Sequence, residues 1–208
     1  MGITLTLDYA SVLVFALTGA LAASRAQLDI VGFIFFACLT AVGGGTLRDL
    51  LLDRDPVFWI ADATPLAVAM AAAVVVFFTA HLMESRLKWL IWLDAGAFAI
   101  AVAAGVAVAR EAGVSTGVVL VMGVATGTFG GLMRDVVANE VPLVLKQGEL
   151  YVTAAFAGAA ASLLGARFLS PEAAWPTVIC IFVTFGLRAG SLLFGWSLPV
   201  YKGRPPRA

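Results

Sequence analysis

Long apolar stretches separated by short polar clusters set the pattern of this chain. Seven of them are recognisable, at about 9–24, 28–52, 61–82, 89–109, 114–138, 150–168 and 174–196. A transmembrane helix needs about 20 mostly apolar residues to cross a hydrocarbon core of roughly 30 Å, so each is read as a membrane span. The breaks are polar and brief: Arg25, Gln27 and Asp29; Asp53-Arg54-Asp55-Pro56; Glu84 to Lys88; Arg110-Glu111; Asn139 to Glu149; Ser170-Pro171-Glu172. Loops of this length leave no room for a soluble domain. The expected fold is all-α and integral to the membrane, as a single domain over 1–208. The stretch from Tyr9 to Ala23 is read as a retained span, because no basic residue precedes it and the pattern recurs later.

Sliding the sequence against itself by 86 residues exposes an internal repeat. Leu7-Asp8 meets Leu93-Asp94, Gly19 meets Gly105, Thr40 meets Thr126, Gly44-Gly45 meets Gly130-Gly131, Arg48-Asp49 meets Arg134-Asp135, and Pro56 meets Pro142. The repeats cover about 7–83 and 93–169, and a seventh helix at about 174–196 stands outside them. Each repeat holds three spans, an odd number, so the second is expected to enter the membrane inverted relative to the first.

Composition agrees with a lipid environment: 62% of residues are hydrophobic and 12% charged. Thirteen Lys and Arg balance thirteen Asp and Glu, which leaves no basic field for nucleic acid. Seven basic residues (Arg25, Arg86, Lys88, Lys146, Lys202, Arg204, Arg207) fall on one side of the predicted layout and three (Arg54, Arg110, Arg167) on the other. This asymmetry predicts an outside N-terminus and a cytoplasmic C-terminus. Cys38, Cys180 and the single His81 form no metal-ligand spacing, and neither metal nor cofactor is expected. There is no nucleophile–His–carboxylate set, so no enzyme chemistry is expected.

The candidate chemistry lies in two matching segments. Val42-Gly43-Gly44-Gly45-Thr46-Leu47-Arg48-Asp49 falls in the second span, and Thr126-Gly127-Thr128-Phe129-Gly130-Gly131-Leu132-Met133-Arg134-Asp135 in the fifth. Consecutive glycines weaken a helix, so a kink or unwound turn is expected there. Two such breaks in inverted repeats point to a polar path between the halves; close helix packing is the competing reading. Arg48, Asp49, Arg134 and Asp135 are costly in hydrocarbon. Adjacent helical residues point about 100° apart, so pairing across the pseudo-two-fold, Arg48 with Asp135 or Arg134 with Asp49, is favoured over pairing between neighbours. The alternative is that Arg48, roughly 27 Å along its helix, snorkels to the interface. Arg188 is expected to anchor to a carbonyl or carboxylate inside the bundle. Asp8 and Asp94 open the first and fourth spans, where they are read as helix caps or as carboxylates at the two mouths of the path. Thr40, Thr46, Thr126 and Thr128 offer hydroxyls along it, or satisfy their own helix carbonyls.

With these features the chain resembles the bacterial branch of the trimeric intracellular cation (TRIC) channels. The resemblance rests on the seven spans, the inverted repeat, and the glycine segments followed by Arg48 and Arg134. It implies a K⁺-conducting pore in each protomer, bordered by Gly43, Gly44, Gly45, Gly127, Gly130 and Gly131. It also implies assembly as a homotrimer among the lipids of a bacterial inner membrane. Residues 43–59 are equally similar to bacterial proteins described as glycine transporters, which keeps a secondary carrier for a small zwitterion as the alternative. Regulation by inositol lipids is not carried over, since Lys202, Arg204 and Arg207 are the only basic cluster beside a span.

Overall fold

The computed structural model describes residues 2–82, 85–147, 149–168 and 174–199. The basic tail residues Lys202, Arg204 and Arg207, together with Glu84 and Ser170-Pro171-Glu172, lie outside them. The described residues form eight α-helices: α1 Ile3–Arg25, α2 Ile30–Leu51, α3 Phe58–Ala61, α4 Thr64–Thr79, α5 Arg86–Glu111, α6 Thr116–Val137, α7 Val152–Phe168 and α8 Trp175–Phe194. Single 3₁₀ turns follow α4 and α6, the second at Leu143–Leu145. Among the described residues six helices are long and apolar enough to cross a membrane; α7, with 17 residues, is a shorter apolar helix. The protein is an integral membrane protein.

The first and fourth spans start earlier than the apolar pattern indicates, at Ile3 and Arg86, so Asp8 and Asp94 lie inside α1 and α5 and cap neither. A carboxylate is carried within the helix because an arginine meets it there. The other ends fall within a few residues of expectation and have identifiable causes. Asp29 caps α2 by accepting from the Gly32 N–H at 2.9 Å. After α2 and α6 the chain turns through a left-handed residue, Asp53 and Asn139 in turn, and the next N–H returns to the helix: Arg54 to the Asp49 carbonyl and Glu140 to the Asp135 carbonyl, both at 2.9 Å. Asp53 and Asn139 are 86 residues apart.

At the centre α1 and α5 are the most buried helices, and the core is rich in alanine: Ala16, Ala20, Ala97, Ala101 and Ala103 among others, with Phe15, Phe98 and Val102. Small residues let helix axes approach, which in a bilayer supplies association that the hydrophobic effect does not. α1 packs on α2, α4 and α5, while α5 packs on α1, α6 and α8. Loops meet as the sequence layout groups them. At one end Arg25 pairs with Glu140 at 2.9 Å and Arg86 reaches the Ser24 carbonyl at 3.3 Å; at the other the Tyr9 hydroxyl bonds Asp62.

Candidate functional site

The glycine segments meet where α2 crosses α6. A Cβ on Gly44 would overlap the Thr126 carbonyl, and one on Gly130 would stand 2.5 Å from the Thr40 carbonyl oxygen. These are one contact seen from two ends, since Gly44 and Gly130, like Thr40 and Thr126, are 86 residues apart. Contact positions descend along α6 as they ascend along α2, so the helices cross antiparallel. The same reciprocity recurs in the shell around them. Gly19 of α1 abuts the Phe36 carbonyl and Thr40 hydroxyl of α2, and Gly105 of α5 abuts the Met122 carbonyl and Thr126 hydroxyl of α6.

The expected unwound turns are not found: residues 30–51 and 116–137 are helical without interruption. The glycines instead admit a neighbouring backbone, the close-packing reading. Not all have the same neighbour. Gly127 faces Val102 and Phe98, Gly43 faces the flexible end of Met133, and Gly45 lies under the Phe58 ring. The four threonines each donate to the carbonyl four residues back: Thr40 to Phe36 at 2.7 Å, Thr46 to Val42 at 2.7 Å, Thr126 to Met122 at 2.6 Å and Thr128 to Val124 at 2.8 Å. Thr46 also accepts from the Trp59 indole N–H at 2.8 Å.

The arginines pair within their own halves, not across the axis. Arg48 donates to both oxygens of Asp8, at 2.7 and 3.2 Å, and through Nε to Asp49 at 2.8 Å. Arg134 donates to Asp94 at 2.8 Å, through Nε to Asp135 at 2.8 Å, and to the Thr18 hydroxyl at 3.0 Å. The 100° argument fails because it follows Cβ directions: a guanidinium that reaches back along its helix brings Nε beside the adjacent carboxylate. Both arginines are wholly buried, so neither snorkels. The second oxygen of each neighbouring Asp holds a loop, accepting from the Phe58 N–H at 2.9 Å (Asp49) and the Leu143 N–H at 2.8 Å (Asp135). The partially exposed Arg54 adds a 3.2 Å contact to Asp49. Fully desolvated ion pairs are retained only with near-complete hydrogen bonding, and the first cluster meets that condition.

Between the halves a narrow crevice runs from Asp8 and Ser11 past Gly45 and Phe58 to Gly44 and Thr126. Its room is about 10 Å³, on the order of one water. Phe58 closes it on one side, its ring 5.6 Å from the Arg48 guanidinium carbon.

Arg188 meets a carboxylate as expected, with Nη2 2.7 Å from Glu149. Sequence reasoning missed its other neighbour, Tyr151, whose ring centroid is 4.8 Å from the guanidinium carbon and whose hydroxyl donates to Asp94 at 2.9 Å. It also missed Thr18 and gave Phe58 no role. Tyr151 and Thr18 carry no repeat signal, since residues 86 positions away are Pro65 and Ala104.

The model of the family described as "Glycine transporter" matches this chain twice, at residues 5–81 and 91–167. The inner membrane protein YadS of Escherichia coli is 34% identical over 196 residues, covering 94% of each chain. The membrane protein YvgT of Bacillus subtilis is 31% identical over 194 residues, covering 93% of this chain and 94% of its own. Among solved structures, the TRIC trimeric intracellular cation channel orthologue from Rhodobacter sphaeroides superimposes with a TM-score of 0.89 at 39% identity, covering 94% of this chain and all of that one.

Proposed function

The chain belongs to the family that joins the proteins described as glycine transporters with the bacterial TRIC channels, and on that footing we propose that it is a passive channel for monovalent cations, K⁺ first among them. The path runs through each protomer between two inverted repeats of three spans, α7 completing the second, with α8 as the seventh span. The observation that carries this reading is the polar crevice ending at an antiparallel glycine crossing between the halves. Gly43, Gly44, Gly45, Gly127, Gly130 and Gly131 border the path. The ion-paired clusters Asp8–Arg48–Asp49 and Asp94–Arg134–Asp135 stand at its two ends, and Thr40, Thr46, Thr126 and Thr128 lend hydroxyl oxygens along it. Conduction requires α2 and α6 to part, because the crossing is closed to anything larger than a water in this structure.

Three copies assemble in the lipid of an inner membrane, with the N-terminus outside and the C-terminus in the cytoplasm. The name of the Rhodobacter sphaeroides relative supports trimeric assembly and the basic-residue asymmetry supports the orientation.

A second reading, a secondary carrier for a small zwitterion such as glycine, is favoured by the description of the matching family. One experiment separates them. Purified protein in planar bilayers gives discrete, ohmic K⁺ currents if it is a channel. Saturable glycine counterflow in vesicles, without unitary currents, identifies a carrier.

A further inference from the structure

The two charged clusters occupy repeat-related positions but differ in their hydrogen bonds. Asp8 gives both carboxylate oxygens to Arg48. Asp94 gives Oδ1 to Arg134 and Oδ2 to the Tyr151 hydroxyl, at 2.8 and 2.9 Å. The cost falls on Arg134, whose buried Nη2 has no acceptor among the described residues. A buried charged donor left unmet is unfavourable. The acceptor that would complete a two-pronged pair, as in the first cluster, is Asp94 Oδ2, which takes the Tyr151 hydroxyl and not Arg134 Nη2.

Tyr151 is held in place from behind. Its ring packs on Phe98 with centroids 4.3 Å apart, and the guanidinium of Arg188 lies over it at 4.8 Å. Arg188 is wholly buried on α8. Its Nη2 is 2.7 Å from Glu149 but out of line for a hydrogen bond, so no guanidinium nitrogen of Arg188 has an acceptor among the described residues. The position 86 residues before Tyr151 is Pro65, and Arg188 lies on α8, outside the repeat, so the first half has no counterpart to either.

We propose that Tyr151 is a positioning residue that competes with Arg134 for Asp94, and that Arg188 holds it there, so that α8 keeps one charged cluster loosened while the other is locked. Withdrawal of the hydroxyl lets Arg134 take both oxygens of Asp94, as Arg48 takes both of Asp8. The effect on transport rests on the reading of these clusters as the ends of the path; the competition itself does not.

Tyr151→Phe removes the hydroxyl and keeps the ring stack. In planar bilayers it lowers open probability several-fold and leaves unitary conductance unchanged. Arg188→Lys acts in the same direction, and adds nothing in the Tyr151→Phe background. Independently of transport, double-substitution cycles on thermal unfolding, built from Arg134→Ala and Asp94→Ala, give a larger Arg134–Asp94 coupling when Tyr151 is Phe. An unchanged or smaller coupling overturns the proposal, as does an additive effect of Arg188→Lys. Glycine counterflow without unitary currents in the wild type removes the channel reading and leaves the coupling measurement to decide the competition.

Discussion

Gly130 of α6 lies so close to the main chain of α2 that a methyl group on it would stand 2.5 Å from the Thr40 carbonyl oxygen. The obstacle is backbone, which cannot rotate away as a side chain does. Gly130→Ala and Gly44→Ala therefore force the helices apart, at an expected cost of about 1–3 kcal/mol. Gly96, where a methyl group would meet nothing within 4 Å, provides the control. There alanine is neutral or stabilises by up to about 1 kcal/mol through helix propensity. Thermal unfolding midpoints in detergent check both expectations.

Arg48→Ala leaves Asp8 and Asp49 buried without their main counter-charge, and a loss of roughly 3–5 kcal/mol is expected. Asp8→Ala also destabilises, and the double substitution recovers part of the loss. The Arg48–Asp8 coupling is expected to exceed the roughly 0.3–0.5 kcal/mol scatter of independent sites, while Arg48 and Asp135 fall within it. A large Arg48–Asp135 coupling would overturn the within-half pairing.

Phe58→Ala uncovers the crevice. Its ring lies against Gly45 and beside the Arg48 guanidinium, and Ser11 lines the cleft beneath. With Cys38 and Cys180 replaced by Ala, a cysteine at Ser11 is expected to react several-fold faster with a water-soluble thiol reagent once Phe58 is Ala. Equal rates would mean that the ring does not limit entry.

Membrane orientation is checked by labelling exposed loop positions. Cysteines replacing Gln27 and Asn139 react from the cytoplasmic side, and those replacing Asp55 and Glu111 from outside. A mixed result within either pair contradicts the three-plus-three layout; a clean reversal contradicts only the sidedness.

The helices were legible because spacing between polar clusters matches the membrane thickness, and the proposed repeat rests on identities that share one offset. Glycine and arginine positions were legible for the same reason. Their partners were not. The apolar run that begins at Tyr9 suggests a cap at Asp8, although a buried arginine makes a mid-helix carboxylate favourable. The Arg48–Asp49 contact escaped because Cβ geometry ignores the length of the arginine stem. Glycine runs suggest breaks because propensity describes an isolated helix, whereas at Gly44 and Gly130 another backbone takes up the missing side-chain volume. Tyr151, 57 residues from Asp94, reaches it through a loop whose path no local pattern encodes.

Because Arg48 and Arg134 each find their carboxylates inside their own half, the order in which the chain enters the membrane matters less than cross-axis pairing would require. Residues 8–54 hold Asp8, Arg48, Asp49 and Arg54 in one formally neutral group. The first half can thus shed the burden of a bare charge in lipid while the second is still being synthesised. Arg134 likewise finds both of its carboxylates in the second half and takes only the Thr18 hydroxyl from the first. What then joins the halves is the alanine-rich packing of α1 on α5 and the backbone contact at the glycines, so that the one ion pair between them among the described residues, Arg25 with Glu140, lies at the polar end, where water can take over either partner.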